Sequence, residues 1–282
     1  MMLVKSIKEM RGFVKQWRKE GLSVGYVPTM GALHEGHQSL IEQAASQNDR
    51  VVVSIFVNPT QFGPNEDFEA YPRDLEKDYA LCEKLGVHVV FSPDAQELYF
   101  PNRSTTVQVS ALTDVLCGSK RPGHFDGVCL VVSKFFNILQ PDRAYFGQKD
   151  AQQVAVIKRM VRDLNFDVEI VVCPIVREAD GLAKSSRNIY LSPQERKAAL
   201  VLSRSLEFAK NALDNGELDA SVLKAALLSC IVQEPLAEID YVEIVDSESL
   251  QMLKGKITGS ILIPIAVYIG KTRLIDNIFY EI

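Results

Sequence analysis

Hydrophobic residues follow two alternating patterns along the first two thirds of the chain. Short runs rich in β-branched residues predict strands, at 24–29, 50–57, 87–92, 143–146 and 167–176. Apolar residues three or four positions apart predict the helices between them, at 37–46, 75–85, 126–140 and 150–165. The run 51–57 is almost continuously apolar, as is typical of a central parallel strand. The alternation predicts an α/β fold with a doubly wound parallel sheet.

The two ends of the chain carry further elements. Residues 3–17 have helical spacing with charged residues between the apolar ones, and Gly21 is expected to end that helix. After Arg177 the pattern changes to a turn, a helical stretch over 193–213, a helix at 220–232 and three strands. These strands are expected at 240–245, 260–269 and 272–282. We therefore divide the chain into a domain of residues 1–176 and a smaller α+β domain of residues 177–282.

Composition and charge exclude several classes of protein. With 47% hydrophobic and 24% charged residues, the chain has the composition of a folded globular protein. A net charge of -5 disfavours a broad electrostatic surface for nucleic acid. The five cysteines form no C-x-x-C pair, and no apolar stretch approaches the ~20 residues of a membrane helix. We expect a cytoplasmic protein with reduced thiols that binds neither nucleic acid nor a membrane.

The segment Pro28-Thr29-Met30-Gly31-Ala32-Leu33-His34-Glu35-Gly36-His37 follows a predicted strand and holds two of the four histidines. Glycines in such a turn allow the backbone to approach a ligand closely. A helix that begins near Gly36 would direct its first N–H groups at bound phosphates, and His34 and His37 would share one face of it. The segment predicts a nucleotide site; the alternative is a glycine-rich turn with two incidental histidines.

Two other segments follow predicted strands, where open α/β sheets hold their ligands. The first, Phe56-Val57-Asn58-Pro59-Thr60-Gln61-Phe62-Gly63, offers two amides that can hold a hydroxy acid without adding charge, or forms an ordinary Pro and Gly turn. The second, Tyr145-Phe146-Gly147-Gln148-Lys149-Asp150-Ala151-Gln152-Gln153, offers a lysine suited to a phosphate. Asp150 in that segment is either a ligand or a helix N-cap.

Three segments are less specific. Lys184-Ser185-Ser186-Arg187 places two cations and two hydroxyls in a loop that either closes over phosphates or is a solvated linker. Residues 121–127, Arg-Pro-Gly-His-Phe-Asp-Gly, form either a lid or a plain turn. Asp74 and Asp78 either approach a nucleotide-bound Mg²⁺ through water or cap and solvate a helix; of the two, Asp78 is the preferred metal candidate.

Taken together, these motifs resemble one family across nearly the whole chain. The segments P-T-M-G-A-L-H-E-G-H, F-V-N-P-T-Q-F-G, Y-P-R-D, R-P-G-H-F-D-G-V, F-G-Q-K-D and S-S-R-N occur in the order and with spacing similar to that of the pantothenate synthetases. That family, the pantoate-beta-alanine ligases, belongs to the cytidylyltransferase-like nucleotidyl transferase superfamily. A His-x-x-His pair alone is a weak signal, whereas the ordered set is specific.

The resemblance implies a fold, a reaction and an assembly. The expected fold is a Rossmann-like ATP- and pantoate-binding domain with a smaller C-terminal domain that helps to cover the site, assembled as a homodimer. The implied reaction begins when pantoate attacks the α-phosphate of Mg²⁺-bound ATP, giving pantoyl adenylate and pyrophosphate. The amine of β-alanine then displaces AMP to form pantothenate, a step of coenzyme A biosynthesis.

The resemblance also implies roles for individual residues. His34 and His37 would contact the ATP phosphates, with His37 as the proton donor, and Lys149 would neutralise phosphate charge. Gln61 and Gln153 would hold pantoate, and Asn58 would support that pocket. The remaining catalytic residues implied are Ser185 and Arg187. The nucleotide-binding residues implied are Met30, Gly31, Ala32, Leu33, His34, Glu35, Gly36, His37, Gly147, Gln148, Lys149, Asp150, Val176, Lys184, Ser185, Ser186 and Arg187.

The chain departs from the family pattern at two positions. Lys184 stands where many relatives have Met, which adds a cation, and Gln148 replaces a common Glu, which removes a charge beside Lys149. Two other functions compete with the ligase. One is a nucleotidyltransferase of the same superfamily, which the amides of Gln61 and Gln153 oppose because they suit an uncharged polyol better than a phosphate. The other is a non-catalytic nucleotide-binding regulator, for which we expect a degraded catalytic set.

Overall fold

The computed structural model describes residues 1–64 and 66–282 and divides into two compact units. The first unit comprises Met1–Gln148 and Val156–Pro174, and the second comprises Lys149–Ala155 and Ile175–Ile282. The sequence division between residues 176 and 177 differs from this one by two positions and by the segment Lys149–Ala155. In the part of the chain that the structure describes, no helix combines the length and the apolar character needed to cross a membrane.

The first unit contains a six-stranded parallel sheet. Its strand order is β1-β4-β3-β2-β5-β6. The strands are β1 (Met2–Val4), β2 (Val24–Thr29), β3 (Arg50–Ile55), β4 (Val89–Phe91), β5 (Arg143–Gly147) and β6 (Glu169–Cys173). The helices are α1 (Ile7–Lys19), α2 (Glu35–Gln47), α3 (Leu75–Lys84), α4 (Ala95–Leu98), α5 (Leu116–Lys120), α6 (His124–Leu139) and α7 (Ala151–Asp163), the first turn of α7 being in the second unit.

Helices cover the sheet, as its apolar central strands require. Ile41 of α2 belongs to one buried cluster with Val27 and Val53 of β2 and β3. Tyr26, also on β2, meets Phe135 of α6 with ring centroids 5.8 Å apart. Burying apolar side chains on both faces of the strands is the main favourable contribution to such a sheet. The α/β class and the parallel sheet predicted from the sequence are confirmed.

The N-terminal prediction is wrong at its first turn. Residues 2–4 form β1, parallel to β4, and the helix begins only at Ile7. Ser6 is the N-cap, because its hydroxyl accepts a hydrogen bond from the backbone N–H of Glu9. Leu3 and Val4 fit the spacing of the helix that follows, so only the pairing with β4 reveals the strand.

The second unit combines helices with an antiparallel sheet. The sheet has the order β10-β9-β7, and β8 pairs with β9. Its elements are α8 (Pro193–Ala198), α9 (Leu200–Asp214), α10 (Ala220–Ile231), β7 (Ala237–Val242), β8 (Val245–Asp246), β9 (Ser260–Ile269) and β10 (Thr272–Glu281). Leu206 of α9 and Leu227 of α10 share a buried cluster with Ile263 of β9. The long helix predicted over 193–213 is therefore two helices, which meet at Ala199.

A buried carboxylate fixes the turn that follows β2. Gly31 and Ala32 both have left-handed backbone conformations, with φ of 84° and 51°. The N–H groups of Ala32 and Leu33 donate to the two carboxylate oxygens of Asp78 on α3, each at 2.8 Å. Asp78 is only 2% exposed. Burial raises the pKa of Asp78 above its ordinary value, although the two hydrogen bonds lower it.

We predict that Asp78→Asn lowers the free energy of unfolding of the first unit by about 2 kcal/mol. The amide keeps one acceptor but turns an N–H₂ group toward a backbone N–H that must then stay unsatisfied. Trp17, the single tryptophan, lies in the first unit, so its fluorescence during urea unfolding measures the change.

Asp74→Asn is the matched control for this prediction, because Asp74 caps the same helix. Asn and Asp are nearly equivalent N-caps, so we expect a change of less than about 0.5 kcal/mol there. Equal losses in the two variants would mean that Asp78 does not hold the turn.

Candidate active site

Two loops of the first unit leave the sheet side by side. Thr29 at the end of β2 pairs with Ile55 at the end of β3, so the chain after each strand emerges at the same edge. The threonine hydroxyl donates to the carbonyl of Ser54 at 2.7 Å and accepts from the N–H of Gly31 at 3.2 Å. The histidine segment and the Asn-Pro-Thr-Gln segment therefore start from a common, hydrogen-bonded base.

His34 and His37 together cap the start of α2. His34 is the N-cap residue, and its Nδ1 accepts the N–H of Gly36 at 3.1 Å. The Nδ1 of His37 accepts the N–H of His34 at 3.3 Å, and the two ring centroids are 4.2 Å apart. The two imidazoles take the places that a hydroxyl and a carboxylate occupy in an ordinary capping box.

The two hydrogen bonds indicate the tautomer of each ring in its neutral form. A ring nitrogen that accepts a hydrogen bond carries no proton, so the proton of each neutral imidazole is on Nε2. Each ring then has an N–H donor at Nε2, at the positive end of the α2 dipole. Donors and a helix N-terminus in this arrangement suit an anion such as a phosphate.

Asn58 is the hub of the loop after β3. It is 1% exposed, and its Nδ2 donates to the Oε1 of Gln61 at 3.0 Å and to the carbonyl of Gly127 at 3.1 Å. Its Oδ1 accepts from the N–H of Thr60 at 3.3 Å and from the hydroxyl of Tyr99 at 2.8 Å. The amide thus has protein partners on both of its ends, which suits the supporting role that the resemblance implied for it.

Gln61 connects the two loops. Its Oε1 is held by Asn58, and its Nε2 lies 3.1 Å from the Sδ of Met30, within the histidine segment. A thioether is a weak acceptor, so a carboxylate or hydroxyl of a ligand would compete for this N–H group successfully. Gln61 is therefore arranged as a donor beside the turn that carries the histidines.

The segment 121–127 forms a turn at Pro122 and Gly123 that leads into a helix. Its last residues form the first turn of α6, which packs against the turn Pro59–Gln61. A Cβ on Gly127 would lie 2.3 Å from the carbonyl oxygen of Thr60, so only glycine allows this approach. The segment therefore supports the Asn-Pro-Thr-Gln loop.

The carboxylate of Asp78, the candidate metal ligand, is turned toward the backbone after β2. Each of its oxygens accepts a backbone N–H, and it is enclosed behind the turn. Among residues 1–64 and 66–282, no three His, Cys, Asp or Glu side chains group in a way that could hold a metal ion. On the described residues, a bound magnesium ion would therefore have at most two such side chains as ligands.

The segment after β5 crosses from the first unit to the second. Gly147 ends the strand, and Gln148–Asp150 form a short 3-10 turn before α7. Within the second unit, the backbone carbonyl of Lys149 accepts a hydrogen bond from the Nδ2 of Asn277 on β10, at 3.0 Å. Gln152 is buried, Gln153 is partly buried and Asp150 is exposed.

The Lys-Ser-Ser-Arg segment is held from both ends within the second unit. The N–H of Lys184 donates to the carbonyl of Val176 at 2.9 Å, and the Oγ of Ser185 accepts the N–H of Arg187 at 3.3 Å. Ser185 thereby caps the 3-10 turn Ser186–Tyr190. Lys184, Ser185, Ser186 and Arg187 are all partly buried.

A network of ion pairs supports the turn that precedes this segment, where Arg177 and Ala183 form an isolated β-bridge. Arg177 forms a bidentate pair with Asp276 on β10, at 2.6 and 2.9 Å. Arg196 pairs with Glu178 at 2.7 Å and with Asp180 at 2.9 Å. Burial raises the pKa of Glu178, but its hydrogen bonds with Arg196 and Asn188 outweigh that effect and leave the pKa below its ordinary value.

A small cavity of about 10 Å³ lies within the second unit, with Lys149, Ser185, Asn188 and Asp276 among its lining residues. Its volume is close to that needed for one water molecule. The Nδ2 of Asn188 donates to Glu178 and to the carbonyl of Ala183, while its Oδ1 is buried and has no hydrogen-bond partner among the described residues. Lys149 and Ser185, far apart in sequence, thus line one space.

Sequence reasoning missed the residues that support these loops. Asp78 was considered for metal and not as the acceptor of two backbone N–H groups, and Tyr99 was not singled out at all. Neither position has a pattern that predicts its partners, because the partners lie 41 to 46 residues away in the chain.

The comparisons with known proteins agree over the whole chain. The family model described as "Pantoate-beta-alanine ligase" matches residues 2–279. The pantothenate synthetase of Clostridium acetobutylicum is 61% identical over 282 residues, covering 100% of both chains. That of Clostridioides difficile is 63% identical over 281 residues, covering 100% of this chain and 99% of the other.

Solved structures give the same result. A crystal structure of the pantothenate synthetase from Thermus thermophilus matches with a TM-score of 0.93 at 45% identity, covering 99% of each chain. The pantoate-beta-alanine ligase of Francisella tularensis, solved as a complex with "Beta-gamma ATP and Beta-alanine", matches with a TM-score of 0.80 at 36% identity. It covers 99% of this chain and 97% of its own. On the family match and these full-length identities, the chain belongs to the pantoate-beta-alanine ligase family.

Proposed function

We propose that the chain joins pantoate to β-alanine at the expense of ATP, through a pantoyl adenylate. The observation that carries the proposal is the contact of Gln61 with Met30, which brings an amide donor to the turn whose histidines have Nε2–H donors. A site for an anionic phosphate thus adjoins a site for a polar acid. The Francisella tularensis relative, solved with a form of ATP and β-alanine, supports both ligand classes.

The proposed reaction has two steps. A carboxylate oxygen of pantoate attacks the α-phosphorus of ATP, and the bond from that phosphorus to the bridging oxygen breaks as pyrophosphate leaves. The amine of β-alanine then attacks the acyl carbon, AMP leaves with the electrons of the acyl–oxygen bond, and the nitrogen loses a proton. Both steps are displacements, so the enzyme needs to bind, align and neutralise charge, and needs no covalent nucleophile.

Two contributions dominate the expected rate enhancement. An anion attacks an anion in the first step, and each preorganised donor that meets the developing charge contributes about 3 kcal/mol in comparable sites. Aligning the two bound reactants removes a further ~7 to 11 kcal/mol from the barrier. We assign the first contribution to His34, His37 and Lys149, and the second to Gln61 and Gln153.

The remaining residues are proposed to surround the nucleotide. The hydrogen bonds of Asp78, Asn277 and Ser185 fix the backbone of three of these segments, which supports a preorganised site. We propose that Ser185 and Arg187 act on the phosphates. The proposed nucleotide contacts are residues 30–37, 147–150, 176 and 184–187.

We propose that magnesium enters as part of the substrate, bound to the phosphate oxygens of ATP. Mg²⁺ keeps several waters and is usually held by nucleotide phosphates with one or two carboxylates at most. The engagement of both Asp78 oxygens by backbone N–H groups supports this in preference to direct ligation by Asp78.

We propose a cytoplasmic location. All five cysteines lie within the described residues and are free thiols, four of them buried. Free thiols are typical of proteins kept in a reducing compartment.

The first prediction for this function concerns substrates. AMP and pyrophosphate should form only when pantoate is supplied, and β-alanine should make the turnover continuous with pantothenate as the product. Chromatographic measurement of AMP release, with each substrate omitted in turn, checks this. Adenylation of a different acid, with pantoate inert, would contradict the proposal.

The second prediction concerns two side chains. His37→Ala and Lys149→Ala should each slow adenylation about 100-fold, since each removes one donor to the phosphates. Single-turnover release of pyrophosphate measures this step. His88→Ala and Lys158→Ala are the matched controls, because they remove the same side-chain types from outside the proposed site. A near-normal rate in either test variant would remove that residue from the proposed catalytic set.

The third prediction concerns assembly, since we also propose a homodimer. β6 is the last strand of its sheet, so within the described residues its outer edge has no neighbouring strand, and Leu164 just before it is 52% exposed. Exposed sheet edges of this kind are usually covered. Sedimentation at micromolar concentration should give twice the mass of one chain; the mass of a single chain would exclude the dimer.

A further inference from the structure

The start of α6 places a histidine directly on the Asn-Pro-Thr-Gln loop. Gly123, with φ of 79°, precedes the helix, and His124 is its first residue. The Nδ1 of His124 lies 2.8 Å from the backbone carbonyl oxygen of Gln61. A carbonyl oxygen only accepts, so the proton of this bond belongs to Nδ1 of the histidine.

The other nitrogen of the same ring confirms the assignment. Nη1 of Arg121 lies 3.0 Å from the Nε2 of His124. A guanidinium only donates, so Nε2 must be the acceptor and carries no proton. In this geometry the ring of His124 donates from Nδ1 and accepts at Nε2, whereas the Nδ1 atoms of His34 and His37 accept.

Arg121 is itself fixed by a carboxylate. Its Nε donates to the Oε1 of Glu66 at 2.7 Å, and its Nη2 donates to Oε2 of the same residue. Both side chains are largely shielded, at 20% and 24% exposure. Burial raises the pKa of Glu66, but the hydrogen bond and charge of Arg121 outweigh it and leave the pKa below the ordinary value. A bidentate pair of this kind fixes direction as well as distance.

The first turn of α6 also holds the side chain of Gln61, through Asn58. The carbonyl of Gly127 accepts from the Nδ2 of Asn58, and that same Nδ2 donates to the side chain of Gln61. The backbone of Gln61 is thus bound by His124 and its side chain by Asn58, both of which α6 anchors. With backbone and Oε1 fixed, the Nε2 of Gln61 has a defined direction, toward Met30.

We infer that Glu66, Arg121 and His124 form a chain of positioning residues that aims the side chain of Gln61 at the pantoate substrate. The inference rests on the proposed function, in which Gln61 holds pantoate. None of the three residues needs to touch the substrate. They raise the affinity of the enzyme for pantoate. They do not change its affinity for ATP.

Two variants of His124 separate a positioning role from a merely structural one. In His124→Asn the Nδ2 of the amide takes the place of Nδ1 and can still donate to the Gln61 carbonyl, whereas His124→Ala has no donor. We expect His124→Ala to raise the KM for pantoate about tenfold, equivalent to about 1.4 kcal/mol, and to change the KM for ATP less than twofold. His124→Asn should stay within about threefold of the wild type for both substrates.

Arg121→Met gives an independent measurement if His124→Ala fails to fold. It removes the donor to Nε2 and frees the ring to change tautomer, so the KM for pantoate should again rise while that for ATP does not. His88→Ala is the control, since His88 also bonds the backbone, through Nδ1 to the N–H of Val51. That variant should leave both KM values unchanged.

Nitrogen-15 NMR of the imidazoles tests the geometry itself. Of the four histidines, all of them described, three accept a backbone N–H at Nδ1 and one donates from it. The wild type should show one ring protonated on Nδ1, and His124→Asn should lose that signal. Four rings protonated on Nε2 would overturn the inference.

These measurements separate a failure of the inference from a failure of the proposed function. A wild-type enzyme that does not use pantoate would contradict the proposed function, and the inference with it. A wild type that uses pantoate, with equal rises of both KM values or none in His124→Ala and Arg121→Met, would overturn the inference alone.

Discussion

The parallel pairing of β2 with its two neighbours is the constraint on which the first unit depends. β2 lies between β3 and β5, with Thr29 paired to Ile55 and Gly25 paired to Arg143. Parallel strands present all their carboxyl ends at one edge, so three successive crossovers bring three distant loops to the same edge. The histidine segment follows β2, the Asn-Pro-Thr-Gln segment follows β3, and Gly147 is the last residue of β5.

The loops at that edge are fixed by hydrogen bonds of buried and partly buried polar side chains. Asp78 holds the turn at 31–33, and Asn58 and His124 hold the turn at 58–61. A buried polar group without a partner is costly, so each of these side chains favours one loop conformation in which its hydrogen bonds are satisfied. The result is a set of donors whose directions are set before a ligand arrives, which is the condition for electrostatic stabilisation of a transition state.

The second unit uses the same principle with ion pairs. The bidentate pair of Arg177 with Asp276, which is 2% exposed, ties the turn before Lys184 to β10. The Nδ2 of Asn277, also on β10, donates to the carbonyl of Lys149. β10 thus supports both segments of this unit that are proposed to contact phosphates, one at Lys149 and one at 184–187. Asn188, whose Oδ1 is buried, lines the same small cavity as Lys149 and Ser185.

The amino-acid sequence by itself determined the class of fold and the segments of interest. The alternation of periods two and 3.6 is a local property, and it was enough to predict the central strands, most helices and the motifs around His34, Gln61 and Lys149. The tertiary structure alone decided that residues 2–4 form a strand, that Asp78 binds the turn at 31–33, and that His124 supports Gln61. It also decided the hydrogen-bond role of Nδ1 of His124, through the carbonyl of Gln61. The physical reason is that each of these facts depends on a partner distant in the chain, and local periodicity carries no information about such partners.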